Sequence, residues 1–469
     1  DHTMVRWVLG TFAIVLGAVL YFGFSALPIG TGFAARYVCT ALFEQGDDPD
    51  TVFRREVAPE HPLFASTTFR VDPDKRLVEA HSLFGLASMQ AVHREGFGCT
   101  LLVGQSIESL RAQTNGFQLK TPRSQPVVTG LRRGKDARWT EFLDRYLDEP
   151  SATSLRNTKA ILVAHRGDVL VEGYADGISM NTPLLGWSMT KSVLALLVGA
   201  LVQEGRASLT EAALFENWRG ADDLRRTISI QDLLEMKSGL AFSEVYGPLE
   251  DATDMLYGSF SFSDFAMNKE LEHPPGEHWM YSSGTSNILS RLVFERSGES
   301  LVANREWIQK VLFQPLGIHH AFIEADPSGV IVGSSYMYAS AHDWLALGTL
   351  ILNDGVVGGQ RLVPEGWIES MTKPVKGAPQ GKYGFHVWLN SGAPDNPSDR
   401  LFPELPTDLI LFRGHNEQLV AVSPSHSLVA IRLGATLDDS WQTQAFLADV
   451  LELVKQTERT PQSDGKDSQ

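Results

Sequence analysis

Ser188 and Lys191 stand three residues apart in GWSMTKSVLALLVGALVQEG, residues 186–205, a stretch polar for one turn and then apolar almost all round. A serine hydroxyl is a weak nucleophile until a base takes its proton. An amine one helical turn away on the same face can be that base where burial favours its neutral form. The positive end of a helix assists an alkoxide there and disfavours an ammonium. Alone, the spacing is weak, because a capping serine beside a lysine reaching for solvent satisfies it as well. Two further groups strengthen it. Tyr281-Ser282-Ser283 follows a Pro/Gly loop in HPPGEHWMYSSGTSNILS and leads into a helical run. A tyrosine beside a buried lysine can share its proton, so either can serve as the base, and Ser283 can tie the network together. Near the C-terminus, FRGHNEQLVAV puts Gly414 where a strand begins and the backbone has to approach something closely. An edge strand there offers an N–H to an oxyanion, alongside the N–H of Ser188.

These groups need a scaffold. Residues 193–202 have almost no polar face, which predicts a helix buried at a domain centre, with Gly205 as its stop. ARWTEFLDRYLDEP has helical spacing through Trp139, Phe142, Leu143, Tyr146 and Leu147. KAILVAHRGDVLVEGY reads as two strands around the turn Arg166-Gly167-Asp168, and LILFRGHNEQLVAVSPSHSLVAIRLGA as two or three more. A helix over WQTQAFLADVLELVKQ precedes a polar tail, 457–469, expected to be disordered. Strands first and last with helices between predict an α/β (α+β) fold, an antiparallel sheet built from both ends around an inserted helical region.

The chain has 469 residues, 43% hydrophobic and 20% charged, enough for two or three domains with a large core. Its net charge of −16 argues against nucleic acid, whose phosphates need a basic face, and against anionic headgroups. Residues 1–3, before Met4, read as a tag remnant. From Trp7 to Leu27 no charge occurs, and the length corresponds to about 30 Å of helix, enough to cross a bilayer core. A transmembrane anchor over 4–28, closed by Pro28 and Gly30, is therefore expected; a cleaved signal peptide is the alternative. Arg6 precedes the span and Arg36 lies further off, a weak bias toward a cytoplasmic N-terminus with the rest exported. In an exported chain the only two cysteines, Cys39 and Cys99, are most simply a disulfide, with buried free thiols as the alternative. Residues 29–136 then form a small stapled region ending in the linker TPRSQPVVTGLRRGKD, ahead of a larger domain over 137–456.

The order S-x-x-K, Y-S-S and a glycine-containing edge strand resembles the serine-reactive, penicillin-recognising superfamily, which includes class C β-lactamases, D,D-peptidases and related esterases. The surrounding stretches TPLLGWSMTKSV, ISIQDLLEMKSGLAFSEVY, HPPGEHWMYSSGTSN and GHNEQLVAVSPSHSLVAIRLG are similar to the 6-aminohexanoate-dimer hydrolase-like branch. The resemblance implies a β-lactamase-like fold and an acyl-enzyme on Ser188. It implies Lys191 as proton acceptor and Tyr281 as the group that passes a proton to the leaving group. The oxyanion hole would be the backbone N–H groups of Ser188 and His415, with Asn416 as the fallback. Tyr246 matches a loop tyrosine that helps bind amide substrates in this branch.

Two departures matter. The K-T-G of efficient β-lactamases is replaced by Phe412-Arg413-Gly414-His415, and the second motif is Y-S-S rather than Y-A-N. Both argue against strong β-lactamase action and for hydrolysis of small esters or amides. Arg413 is placed to attract an anionic substrate or simply to be a strand-surface charge.

No cofactor is expected. His319-His320 is not at a metal-ligand spacing, and His273 and His278 flank a loop. Asp326, Asp343 and Trp344 look like support for the helical region. Ala13 and Gly17 form a small-x-x-x-small pair that by itself supports no oligomer. The implied protein is a membrane-anchored serine hydrolase of the bacterial inner membrane, single-pass, with its catalytic domain in the periplasm or outside the cell. A cell-wall D,D-peptidase is the alternative. A β-lactam sensor would need a cytoplasmic output module, and only Met4 to Arg6 precede the span.

Overall fold

The computed structural model describes residues 2–119 and 128–459. In chain order its principal elements are α1 (His2–Thr40), β1 (Thr67–Asp72), β2 (Leu77–Ser82), β3 (Ala87–Arg94), β4 (Gly98–Leu101), β5 (Arg132–Gly134), α2 (Ala137–Leu147), β6 (Thr158–His165), β7 (Asp168–Tyr174) and α3 (Thr190–Gln203). There follow α4 (Asp251–Gly258), α5 (Ser283–Arg296), α6 (Ala341–Leu352), β8 (Trp388–Leu389), β9 (Ile410–Gly414), β10 (Gln418–Ser423), β11 (Leu428–Gly434) and α7 (Thr443–Arg459). They divide into two compact units, Asp1–Pro122 with Glu204–Lys310 and Phe322–Met337, and Arg123–Gln203 with Val311–Ala321 and Tyr338–Gln469.

The second unit is built on one seven-stranded antiparallel sheet in the order β8-β9-β10-β11-β6-β7-β5. Strands from before and after the helical insertion meet at β11 and β6, as the alternation predicts. Successive side chains leave a strand on opposite faces, so two layers cover the sheet. Leu419 and Ala421 of β10 join Trp139, Phe142 and Leu143 of α2 and Phe446 and Val450 of α7 in one buried cluster. On the other face Gly348 of α6 sits against Val420, Val422 and Val429, where a side chain would collide with Val429. The turn between β6 and β7 takes two left-handed residues, Arg166 (φ 52°) and Gly167 (φ 88°), the twist a two-residue hairpin demands.

Two boundaries differ from expectation. Arg132–Gly134, read as the end of a linker, pairs with β7 as the sheet's last strand, and residues 121–127 of that linker lie outside the described residues. The expected tail begins inside α7, which runs to Arg459; the rest of the tail also lies outside the described residues.

In the first unit β1 to β4 form a four-stranded antiparallel meander, and the C-terminal half of α1 lies along it. The helix does not end at Pro28 and Gly30. Pro28 forfeits one backbone hydrogen bond, but Thr31 Oγ donates to the Pro28 carbonyl at 3.0 Å, and Ala34, Ala35, Arg36, Val38 and Cys39 are fully buried beyond it. Packing thus outweighs the local break. A 21-residue window from Ser25 to Gln45 is long and apolar enough to cross a membrane, yet 67% of it is buried in the protein, as in a core helix. Residues nearer the N-terminus differ: Trp7, Phe12, Ile14, Val15, Leu16, Leu20 and Tyr21 are exposed.

Cys39 and Cys99 are joined by a disulfide that ties α1 to β4. Beside it Glu324, fully buried, accepts from Arg36 Nη1 at 2.7 Å, Thr40 Oγ at 2.5 Å and the Cys99 N–H at 2.8 Å. Gly32 lets α4 approach, because a side chain there would meet the Tyr257 carbonyl at 3.0 Å.

Candidate active site

In the second unit Ser188 lies in a tight turn, Trp187–Met189, immediately ahead of α3. The turn is strained: Trp187 holds φ at 49°, a left-handed conformation that costs a bulky residue about 1–2 kcal/mol. It persists because its ends are tied, Met189 N–H to the Gly186 carbonyl at 3.2 Å and Thr190 Oγ–H to the Trp187 carbonyl at 2.7 Å. Ser188 is half-buried, while Lys191 is 1% exposed with its Nζ donating to Ser188 Oγ at 3.1 Å. The buried helix expected behind it is present, with every residue from Val193 to Leu201 buried. Gly205 (φ 69°) follows its end.

Gly414 is the last residue of β9 rather than its first, a correction to the sequence reading. The close approach is real: a Cβ on Gly414 would lie 2.1 Å from the Gly186 carbonyl, and one on Gly186 2.3 Å from the Trp344 ring. Two glycines and a buried tryptophan therefore let β9 meet the turn that carries Ser188. Strand β8 pairs only with Ile410 and Leu411, so among the described residues no strand covers the outer edge of β9 from Phe412 to Gly414.

The next turn holds His415, Asn416 (φ 59°) and Glu417 (φ 65°). The His415 ring meets the Trp187 ring edge-on, centroids 5.4 Å apart. Two residues that the sequence reading missed fix this turn from below. Gln418 Nε2 donates to the His415 and Asn416 carbonyls at 3.1 and 3.2 Å. Arg432, fully buried against Trp441, donates through Nη1 to the Asn416 and Glu417 carbonyls at 2.8 and 3.1 Å. Burial pulls the Arg432 guanidinium down to about 9. Arg432 and Gln418 lie in ordinary strand patterns, and only an arginine at a core position of β11 could have flagged the pair. Arg413 lies over the rings of Trp388 and Phe402, at 5.7 and 5.8 Å.

In the first unit the Tyr281-Ser282-Ser283 stretch is a helix entry. Ser282 caps α5, its Oγ accepting from Thr285 N–H at 3.1 Å. Ser283 is fully buried and gives its N–H to Glu244 Oε2 at 2.6 Å and its Oγ–H to Oε1 at 2.5 Å. Tyr246 OH donates to the same Oε1 at 3.0 Å and lies 3.3 Å from Ser283 Oγ. Tyr281 is half-buried, and Glu244 is the residue here that the sequence reading missed, although it sits two places before Tyr246 in SGLAFSEVY. Tyr246 is 48% exposed as a residue, but its hydroxyl end is crowded by this cluster. Desolvation there and the Glu244 charge push its phenol well above the ordinary range.

The remaining candidates are structural. Asp343 closes a capping box with Ser340 at the start of α6. Asp326, fully buried, accepts from the N–H groups of Phe262 and Val330 and from Ser328 Oγ, and burial raises it to about 6. His273 and His278 stack on each other with centroids 4.0 Å apart. Among the described residues no group of three or more metal-binding side chains converges.

A β-lactamase family model matches residues 143–442. A 6-aminohexanoate-dimer hydrolase from Paenarthrobacter ureafaciens is 25% identical over 228 residues, a match spanning 46% of this chain and 57% of that protein's length. Among solved structures, a candidate 6-aminohexanoate-dimer hydrolase from Bacillus anthracis superposes with a TM-score of 0.55 at 18% identity, covering 72% of this chain and 89% of the other. A penicillin-binding protein homologue from Caulobacter crescentus gives 0.51 at 14% identity, covering 69% and 99%. At these identities the structural likeness speaks for the fold.

Proposed function

Because this chain belongs to the β-lactamase family and is a serine hydrolase of that kind, we propose that it cleaves small ester or amide substrates through an acyl-enzyme on Ser188. The observation that carries the reading is the 3.1 Å contact between Lys191 Nζ and Ser188 Oγ at a buried lysine. Neutral Nζ takes the Oγ proton as Oγ attacks the carbonyl carbon. The carbonyl oxygen becomes an oxyanion, stabilised by the N–H groups of Ser188 and His415, with Asn416 as the alternative donor. Tyr281 delivers a proton to the departing alkoxide or amine and takes one back from the Lys191 ammonium; water, giving a proton to the same pair, then attacks the acyl carbon, and Ser188 Oγ leaves with that proton. Tyr246 binds the substrate, Ser283 steadies that tyrosine through the shared Glu244 carboxylate, Gly414 keeps the edge strand close, and Arg413 attracts an anionic substrate.

We further propose that the catalytic domain is exported and held to a bacterial inner membrane by an anchor over 4–28. The seven exposed apolar side chains from Trp7 to Tyr21 support it, since water is a poor environment for them. A fluorophosphonate probe tests the chemistry. It should label Ser188 in the wild type and nothing in Ser188→Ala; labelling of another serine would overturn the assignment. Hydrolysis confined to D-Ala-D-Ala peptides would favour the cell-wall peptidase reading instead.

A further inference from the structure

The four-stranded sheet of the first unit has two ends of opposite polarity. At one end the β1–β2 turn reads Asp72-Pro73-Asp74-Lys75-Arg76, with Pro73 to Arg76 exposed as in a water-facing turn, and Glu95 at the β3–β4 turn is exposed beside it. At the other end the β2–β3 connection reads Ser82-Leu83-Phe84-Gly85-Leu86. Leu86 is 67% exposed and Leu83 39%. Leu83 also holds φ at 46°, a left-handed conformation in which glycine or asparagine would sit without the strain a leucine carries.

The position of this apolar tip along α1 follows from two contacts. Cys39 Sγ lies 3.7 Å from the Ala91 carbonyl, and Glu44, in the turn after α1, accepts from His93 Nε2 at 2.8 Å, so α1 and β3 run in the same direction. Going back from Ala91 to Leu86 covers about 17 Å of strand. Going back from Cys39 to Leu27 covers about 18 Å of helix. The tip is therefore level with Leu27. A separate route agrees: the Phe64 ring packs tilted against Phe33, and Ser66, two residues on, meets Ser82 Oγ at 3.0 Å. Leu27 is also where α1 changes character, from buried side chains at Ala26 and Leu27 to exposed apolar ones at Tyr21, Leu20 and beyond.

We propose that the β2–β3 tip is a second membrane contact, with Leu83 and Leu86 entering the interfacial layer of the same bilayer that takes up the exposed half of α1. The inference rests on the anchor reading and adds to it. A lone spanning helix leaves the attached unit free to turn about the helix axis. A second apolar contact at the level of the lipid surface holds one face of the unit toward the membrane and keeps the polar end of the sheet away from it.

Single cysteines placed at Leu86, Lys75 and Leu16 of the full chain, each carrying an environment-sensitive fluorophore in phosphatidylcholine vesicles, test this, since both native cysteines are held in the disulfide. Lys75 marks the opposite end of the sheet and Leu16 the anchor. Interfacial insertion reaches about 5–10 Å, so shallow doxyl lipid should quench the Leu86 label at least about threefold more than the Lys75 label. Iodide in the aqueous phase should show the reverse order. Lipid quenching at Leu16 without quenching at Leu86 would overturn the tip contact while leaving the anchor. Quenching at neither would overturn both. Protection of Leu86 from iodide without lipid quenching would mean that protein covers the tip, and equal quenching at Leu86 and Lys75 would mean unoriented adsorption; either overturns the proposal. Thermal melting of each labelled variant, matching the wild type, confirms that the readout comes from folded protein.

Discussion

Ser283 gives both of its hydrogens to one carboxylate, its N–H to Glu244 Oε2 at 2.6 Å and its Oγ–H to Glu244 Oε1 at 2.5 Å. Glu244 thereby fixes the first turn of α5 and, through Tyr246 OH on Oε1, the neighbouring loop. Glu244→Ala removes the common acceptor and lets both drift. Misplacement of binding groups by about 1 Å can cost on the order of 100-fold. Steady-state kinetics should show kcat/KM reduced by about 10–100-fold with the melting temperature within a few degrees of wild type. Unchanged kinetics would show that the cluster does not touch turnover.

Gly414→Ala is expected to disturb the turn that carries Ser188. The new Cβ would lie 2.1 Å from the Gly186 carbonyl, a backbone atom that has no rotamer to escape into. Relief requires β9 to move away from the turn that carries Ser188. Overpacking of this kind costs about 1–3 kcal/mol, and the displaced strand should lower kcat more than it raises KM. Denaturant melts and kinetics on the same preparation check both numbers. Wild-type kcat with an unchanged midpoint would mean that the approach is not tight in solution.

Much of this was legible in the sequence, for physical reasons. The β6–β7 hairpin announced itself through two apolar runs around Arg166-Gly167, and α2 through apolar residues at helical spacing, because burial on one face imposes a period. The contact between Ser188 and Lys191 was legible because their spacing is local. Glu244 and Arg432 were not, since Ser283 and Asn416, which they hold, are distant in the chain and nothing in their neighbourhood announces the partner; Gln418 holds nearby carbonyls but sits in an ordinary strand pattern. Pro28 misled for a related reason: it is a local break that burial of the helix beyond it overrides. The strand start expected at Gly414 was displaced because β9 draws its pairing from Ile410 onward and ends, rather than begins, at the close approach.

His93 should make the first unit acid-sensitive. Its Nδ1 accepts from Arg76 Nε at 2.9 Å, so Nε2 carries the proton and donates to Glu44 at 2.8 Å. Charging the ring would cost the Arg76 bond. The Glu95 charge pulls the other way, but burial and then the Arg76 charge dominate and bring the imidazole down to about 3. Between about 6.5 and 3 the unfolded chain therefore holds a proton that the native ring does not, and stability falls as pH falls through that window. The slope from one such group is at most about 1.4 kcal/mol per pH unit. Urea melts at pH 7 and pH 5 should show His93→Gln losing less stability than wild type over this interval, by up to about one proton's share. Equal losses would sink the assignment of a neutral ring.

The proposed proton transfer through Lys191 and Tyr281 makes the sharpest prediction. Ser188→Ala should abolish turnover with little effect on folding, because its hydroxyl sits in a turn whose bonds belong to Gly186, Trp187, Met189 and Thr190. Lys191→Ala should come close to the same loss, since Nζ is the group within hydrogen-bond distance of Oγ at 3.1 Å. Tyr281→Phe should keep the fold and slow turnover by about 10²–10⁴-fold, as removal of a general acid–base group does. Members of one unit fail together, so the double variant Lys191→Ala/Tyr281→Phe should be little worse than the slower single one. The pH profile of kcat/KM should fall on the acid side, where the ammonium form of Lys191 has no lone pair for the Ser188 proton. Multiplicative losses in the double variant would mean that Lys191 and Tyr281 act in separate steps, and a flat acid limb would remove Lys191 as the base.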